Sequence, residues 1–183
     1  LGELPGRWQR IRVLVNNAGL AAGRDLFDEA LFSDWEAMID TNLKGLLYVT
    51  RAVMPILKKT PQAQIINIGS IAGKQVYLRG NVYCATKHAV DAISRAMRMD
   101  LLPYAIRVTA IHPGAAETEF SMVRLKGDEA AAQEVYAGYQ PLTAEDVADA
   151  ILYCISLPPH VCVNDLVLTC TAQADAYYLH RKD

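Results

Sequence analysis

Tyr83 and Lys87 stand four positions apart in Tyr83-Cys84-Ala85-Thr86-Lys87, with Ser70 thirteen residues upstream. On a helix this spacing puts a phenol and an ammonium on one face, where both can point into the same cleft. A tyrosine hydroxyl titrates near pH ~10 in water, and a neighbouring cation favours its anion, bringing it toward a useful proton-transfer range. The pair reads as a tuned acid/base, or, on spacing alone, as a packed tyrosine beside a solvated lysine. Asn42 is the other unusual residue. In a helix interior it costs a few tenths of a kcal/mol relative to alanine, and the neighbouring Thr41 adds to the penalty. It reads as a polar core satisfier or as a functional group.

The elements that must carry these residues are visible as hydrophobic patterns. Ile11 to Asn16, Gln64 to Gly69, Ile106 to Ile111 and Asp165 to Thr169 are continuous apolar runs, as expected of strands covered on both faces. Ser33-Asp34-Trp35-Glu36 has the capping-box pattern and opens a helical segment to about Leu57. A second helix is predicted from Asn81 to Leu102, ended by Pro103, and a third from Thr143 to Leu157, with Glu145 and Asp146 at its positive end. Strands alternating with helices predict an open parallel α/β sheet with right-handed crossovers. Residues 119–139 break the pattern beyond the third strand, where such sheets bind ligands, and read as a lid or substrate loop containing a short helix from Glu129 to Tyr136.

The 183 residues, 52% hydrophobic, suit one core rather than two. A net charge of -2, with no basic cluster longer than Lys58-Lys59 or Arg181-Lys182, argues against nucleic-acid binding. The most apolar stretch, Gly45 to Leu57, contains Arg51 and Pro55, so no membrane span is expected. Cys84, Cys154, Cys162 and Cys170 have no metal-binding spacing and read as buried free thiols of a soluble, cytoplasmic protein. His88, His112, His160 and His180 are scattered singly, so no metal site is expected.

Asn16-Asn17-Ala18-Gly19, Thr41-Asn42-Leu43-Lys44-Gly45, Ile68-Gly69-Ser70, Tyr83-Cys84-Ala85-Thr86-Lys87 and His112-Pro113-Gly114 follow one another at spacings that resemble the short-chain dehydrogenase/reductase family over essentially the whole chain. The resemblance implies a Rossmann-type doubly wound sheet and hydride transfer with a nicotinamide dinucleotide. It assigns Asn42, Ser70, Tyr83 and Lys87 to catalysis. Ser70 would hydrogen-bond the reacting oxygen, Tyr83 would exchange the proton, and Lys87 would lower the tyrosine pKa and bind the nicotinamide ribose. Asn42 would bend its helix and hold a relay water. Asn16, Ala18 and Gly19 would neighbour the cofactor, and Pro113, Gly114, Ala116 and Thr118 would form the loop over the nicotinamide. Ala116 stands where the family commonly has Val or Ile.

Gly80-Asn81-Val82-Tyr83, Thr118-Glu119-Phe120-Ser121, Lys126-Gly127-Asp128, Leu142-Thr143-Ala144-Glu145-Asp146 and Leu157-Pro158-Pro159-His160 look like the branch that oxidises serine, L-allo-threonine and other 3-hydroxy acids with NADP. NAD is the other cofactor option. A substrate carboxylate needs a cationic partner, and Arg124 is the candidate, a surface arginine being the plain alternative. The branch resemblance also implies a homo-tetramer or homo-dimer, with the tail 170–183 packed near a neighbouring subunit. No glycine-rich phosphate loop occurs. The chain is therefore expected to be the C-terminal portion of one Rossmann domain, 1–183, with the first three strands absent. Two other readings stay open: a non-catalytic binding or oligomerisation module, and a carbonyl, hydroxysteroid or acyl-thioester reductase of the same fold.

Overall fold

The computed structural model describes residues 5–6 and 10–182. Four strands, β1 (Val13–Asn16), β2 (Gln64–Ile68), β3 (Arg107–Pro113) and β4 (Asp165–Leu168), form one parallel sheet in the order β1-β2-β3-β4. Alternation along the strands divides the core into two layers. Ile65 and Val108 pack beneath α2 (Leu46–Leu57) and α3 (Asn81–Asp100), alongside Val53, Leu57 and Met97. Ile66 and Ile111 face the other way, against Cys154 and Ile151 of α6 (Ala144–Ser156). Strands buried on both faces are seen only in the middle of the sheet. β1 and β4, at the two edges of the sheet, are half exposed.

Thr143 caps α6 as its sequence implies: its hydroxyl accepts from the Asp146 backbone N–H, and the Asp146 carboxylate accepts from the Thr143 N–H. The capping box expected at Ser33 does not form. Helix α1 (Phe32–Ile39) starts after Leu31 with no side-chain cap, and Trp35, packed at 5.0 Å from Phe27 and 5.2 Å from Phe32, anchors its first turn instead. Asp34 is used elsewhere, in an ion pair with Lys126 at 2.8 Å. Between α1 and α2 the helix widens into a π-helical turn, Asp40–Gly45, centred on Asn42. The second predicted helix closes at Asp100, and Pro103 sits in the 3₁₀ turn that follows.

The segment 119–139 folds as α4 (Phe120–Arg124) and α5 (Glu129–Val135). The tail lies on its own chain. Gln173 Oε1 accepts from the Ala115 N–H at 2.8 Å, the Ala176 N–H donates to Gln75 Oε1 at 2.8 Å, and Arg181 donates to the Glu134 and Val135 carbonyls. Asp183 lies outside the described residues.

Candidate active site

A cavity of about 1200 Å³ opens at the carboxyl ends of the strands, roofed by α4, α5 and the tail. This is where parallel α/β sheets bind ligands, because loops diverge there and leave a crevice. Ser70 leaves β2 and starts the 3₁₀ turn Ile71–Gly73; its hydroxyl accepts from the Ala72 N–H at 3.1 Å while its flank lines the cavity. Tyr83 and Lys87 enter from the first two turns of α3 on one face, as their spacing predicts. Pro113, Gly114, Ala116 and Thr118 line the opposite side, and Arg124 reaches in from α4. Ser70, Tyr83, Lys87 and Arg124 therefore share one space, although they come from one loop and two helices.

Three of the expected residues lie off this wall. The Asn16 side chain turns into the core, donating to Thr50 Oγ1 at 2.9 Å and Asn67 Oδ1 at 2.8 Å, and Asn17 lines the cavity in its place. Motif reading could not set this phase, because two adjacent asparagines point to opposite faces of the same strand end. Ala18 is exposed but not on the cavity wall. Asn42 is buried: its Oδ1 accepts from the Leu20 N–H at 2.8 Å, and its Nδ2 donates to the Leu20 carbonyl at 2.8 Å and to Thr86 Oγ1 at 3.1 Å. The amide thus bolts the loop after β1 to α3. Gly19 bridges this bolt to the cavity, since a Cβ placed there would stand 3.3 Å from both Asn42 Oδ1 and Lys87 Nζ.

The electrostatics differ from the sequence expectation in one respect. Burial pushes the Tyr83 phenol well above the ordinary tyrosine value, with the Ser70 side chain and the Arg124 charge pulling the other way. Lys87 is not the cation that opposes the shift. Its ammonium lies 5.9 Å from the Tyr83 ring centre and donates to the Ile68 carbonyl at 3.1 Å, and burial pushes its own pKa down to about 8. Arg124 lies 5.6 Å from both the Tyr83 and Tyr77 rings and donates to Tyr77 Oη at 3.0 Å. Tyr77 and Gln173 were invisible as site residues, because only tertiary folding brings residues 77, 124 and 173 to one rim.

A buried phenol beside a serine hydroxyl, with a lysine of lowered pKa one turn on, is a proton-exchange site for an oxygen-bearing substrate. The family model for short chain dehydrogenase matches residues 1–129, and the chain belongs to that family. Among its relatives, it is 48% identical over 177 residues to the NADP-dependent 3-hydroxy acid dehydrogenase YdfG of Escherichia coli (strain K12), covering 96% of this chain and 71% of the relative. It is 46% identical over 175 residues to sulfoacetaldehyde reductase 2 of Chromohalobacter salexigens, covering 95% and 69% of the two chains. A solved closed form of serine dehydrogenase complexed with NADP+ superposes with a TM-score of 0.93 at 47% identity, over 100% of this chain and 74% of the other.

Proposed function

We propose that this chain is an NADP-dependent oxidoreductase that interconverts an alcohol and its carbonyl, acting on short 3-hydroxy acids such as serine or L-allo-threonine. The observation that carries the reading is the convergence of Ser70, Tyr83, Lys87 and Arg124 on one cavity at the carboxyl edge of the sheet. The relatives named above support the cofactor and the substrate class.

The residues fit the nicotinamide-ribose end of such a cofactor. Lys87 spends one donor on the Ile68 carbonyl and has two more at the cavity wall, suited to ribose hydroxyls. Gly19 keeps the wall beside it open, since any Cβ there would crowd the ammonium. Backbone at Pro113 to Ala116 supplies the amide-binding side. When bound, the nicotinamide accepts or delivers the hydride.

The protein's part is proton control and orientation. Ser70 and Tyr83 hold the reacting oxygen between two hydroxyls, and Tyr83 Oη takes the proton in oxidation or returns it in reduction. The raised phenol pKa keeps Tyr83 protonated, the form reduction requires. Oxidation needs cationic help, which Arg124 already provides and Lys87 adds at close range to the substrate. Asn42 holds the β1 loop in place beneath Lys87. Arg124 also offers its remaining N–H donors to the substrate carboxylate, a role that the sulfonate-bearing substrate named for the C. salexigens relative supports. The test is Tyr83→Phe, which keeps the ring and removes the proton. Turnover of 3-hydroxy acids should fall by about three orders of magnitude or more with an unchanged melting profile, and a folded variant with parental turnover would refute the assignment.

No helix among the described residues is long and apolar enough to cross a membrane. Reduced thiols at Cys84, Cys154 and Cys170, all buried, support a cytoplasmic setting. The exposed Leu47, Tyr48 and Val49 on α2 support self-association as a homo-dimer or homo-tetramer.

A further inference from the structure

The charges behind the cavity wall have partners. His112, expected to stand alone, places Nε2 3.0 Å from Asp165 Oδ1, and Lys74 Nζ bridges Asp165 and Asp91 at 2.5 and 2.9 Å. The cavity itself is different. Arg24, Lys87, Arg124 and Arg181 line it against Glu119 and Asp175, so positive charge is in excess. Three of these six are engaged with backbone: Lys87 with the Ile68 carbonyl, Arg181 with the Glu134 and Val135 carbonyls, and Asp175 with the Tyr177 and Tyr178 N–H groups. Glu119 is exposed. Arg24 and Arg124 are left, and neither makes an ion pair among the described residues.

The fold draws these two arginines to one end of the cavity. The Gly23 N–H donates to the Arg124 carbonyl at 3.0 Å, which seats α4 on the loop that carries Arg24. Tyr77 stands with them. Its Oη accepts from Arg124 Nη1 at 3.0 Å, so its own hydrogen turns away from the guanidinium, and no described residue accepts it. Burial raises the phenol pKa against the pull of both arginine charges, so the hydroxyl stays a donor. Like charges gathered at one rim repel, and an anion lying between them removes that repulsion.

A carboxylate offers two oxygens and one charge, and the planar fork of Arg124 can meet both oxygens by itself. The free Tyr77 hydroxyl and the Arg24 guanidinium exceed what a monocarboxylate needs. Resting on the reading of this cavity as a hydroxy-acid site, we infer that Arg24, Tyr77 and Arg124 form one acid-head subsite fitted to a tetrahedral dianion such as a phosphonate, in the place of the carboxylate of a 3-hydroxy acid. Arg124 takes two of its oxygens, the Tyr77 hydroxyl donates to the third, and Arg24 supplies the second positive charge.

The test compares 3-hydroxypropanoate, 2-hydroxyethylsulfonate and 2-hydroxyethylphosphonate, which share one hydroxyl-to-acid spacing, at a pH where the phosphonate is a dianion. The readouts are KM in NADP-linked oxidation and Kd from calorimetry on the full chain. Both constants should be about fivefold lower for the phosphonate than for the other two, since the sulfonate has the shape without the second charge. Arg24→Ala should raise the phosphonate constants about fivefold and those of the two monoanions about twofold at most. Tyr77→Phe should weaken both tetrahedral heads more than the carboxylate, and an equal effect on all three would remove Tyr77 from the subsite. Equal constants for sulfonate and phosphonate in the parent chain, or an Arg24→Ala effect that falls on KM for NADP and leaves the acids alone, would overturn the inference. Phosphonate binding that weakens in Arg24→Ala, in a chain with no turnover, would support the subsite and count against the oxidoreductase reading.

Discussion

Replacing Lys87 by methionine should make the protein more stable and inactive, and the gain should depend on pH in a defined way. Lys87 is 6% exposed and its pKa falls from 10.5 to about 8 on folding, so the fold disfavours its charged form. At about 1.4 kcal/mol per pKa unit, the charge costs the native state about 3 kcal/mol. The penalty is in full force below pH ~8, shrinks as pH rises from there toward 10.5, and vanishes above that value. Methionine fills a similar volume without the charge but leaves the Ile68 carbonyl without its donor, a loss of about 1 kcal/mol at every pH. The variant should therefore gain about 2 kcal/mol at pH 7 and lose about 1 kcal/mol near pH 10.5. Urea titrations of both proteins at the two pH values measure the difference, from which the constant carbonyl term cancels. A stability difference that stays the same at pH 7 and pH 10.5 would refute the burial argument. Retained turnover in the variant would refute the functional one.

Arg124→Ala should raise KM for 3-hydroxy acids at least tenfold while changing it little for uncharged alcohols of the same size; steady-state kinetics on the two substrate types decides, and equal effects would remove Arg124 from carboxylate recognition. Gly73→Ala places a Cβ 2.6 Å from the Lys87 backbone oxygen, which cannot give way without moving α3. The expected cost is about 2 kcal/mol or more, read as a loss of denaturation midpoint together with turnover. Thr143→Ala removes the side-chain half of the α6 cap, leaving the backbone N–H at 143 to the Asp146 carboxylate, and should cost about 1 kcal/mol, seen as a lower melting temperature with kcat unchanged.

Much of this molecule could be read directly. The central strands are rich in apolar residues because both faces are buried, with Gln64, Asn67, Thr109 and His112 as buried polar exceptions, and Tyr83 and Lys87 share a face because helical geometry requires it. Those properties are local, so sequence carries them. Asn16 shows where local reading stops: which of two adjacent asparagines meets the cavity depends on strand phase, fixed by the partner network of Thr50, Asn67 and Ser94 across three elements. The same holds for the balance of charges at Tyr83. Sequence spacing places Lys87 beside it, whereas the folded chain directs that ammonium to the Ile68 carbonyl and brings Arg124 from forty-one residues away. His112 looked solitary because Lys74, Asp91 and Asp165 reach it only through a parallel sheet and its crossovers. Helix α1 starts at Phe32, earlier than the Ser33 pattern implies, which places Ser33 inside its first turn, where it cannot cap.

The π-helical turn at Asp40–Gly45 also governs which insertions and deletions the gene could bear. A π turn carries an extra residue relative to an α turn and absorbs it within that one turn, so α1, facing the aromatic cluster, and α2, facing the sheet, keep the phase of one continuous helix. Deleting one residue between 40 and 45 would restore regular winding and leave Val53 and Leu57 on the sheet, whereas a deletion within α2 itself would rotate everything downstream by about 100°. What the shorter stretch would lose is the widened turn that presents the Asn42 amide to Leu20 and Thr86. The surplus residue thus serves the site rather than the packing of the helix.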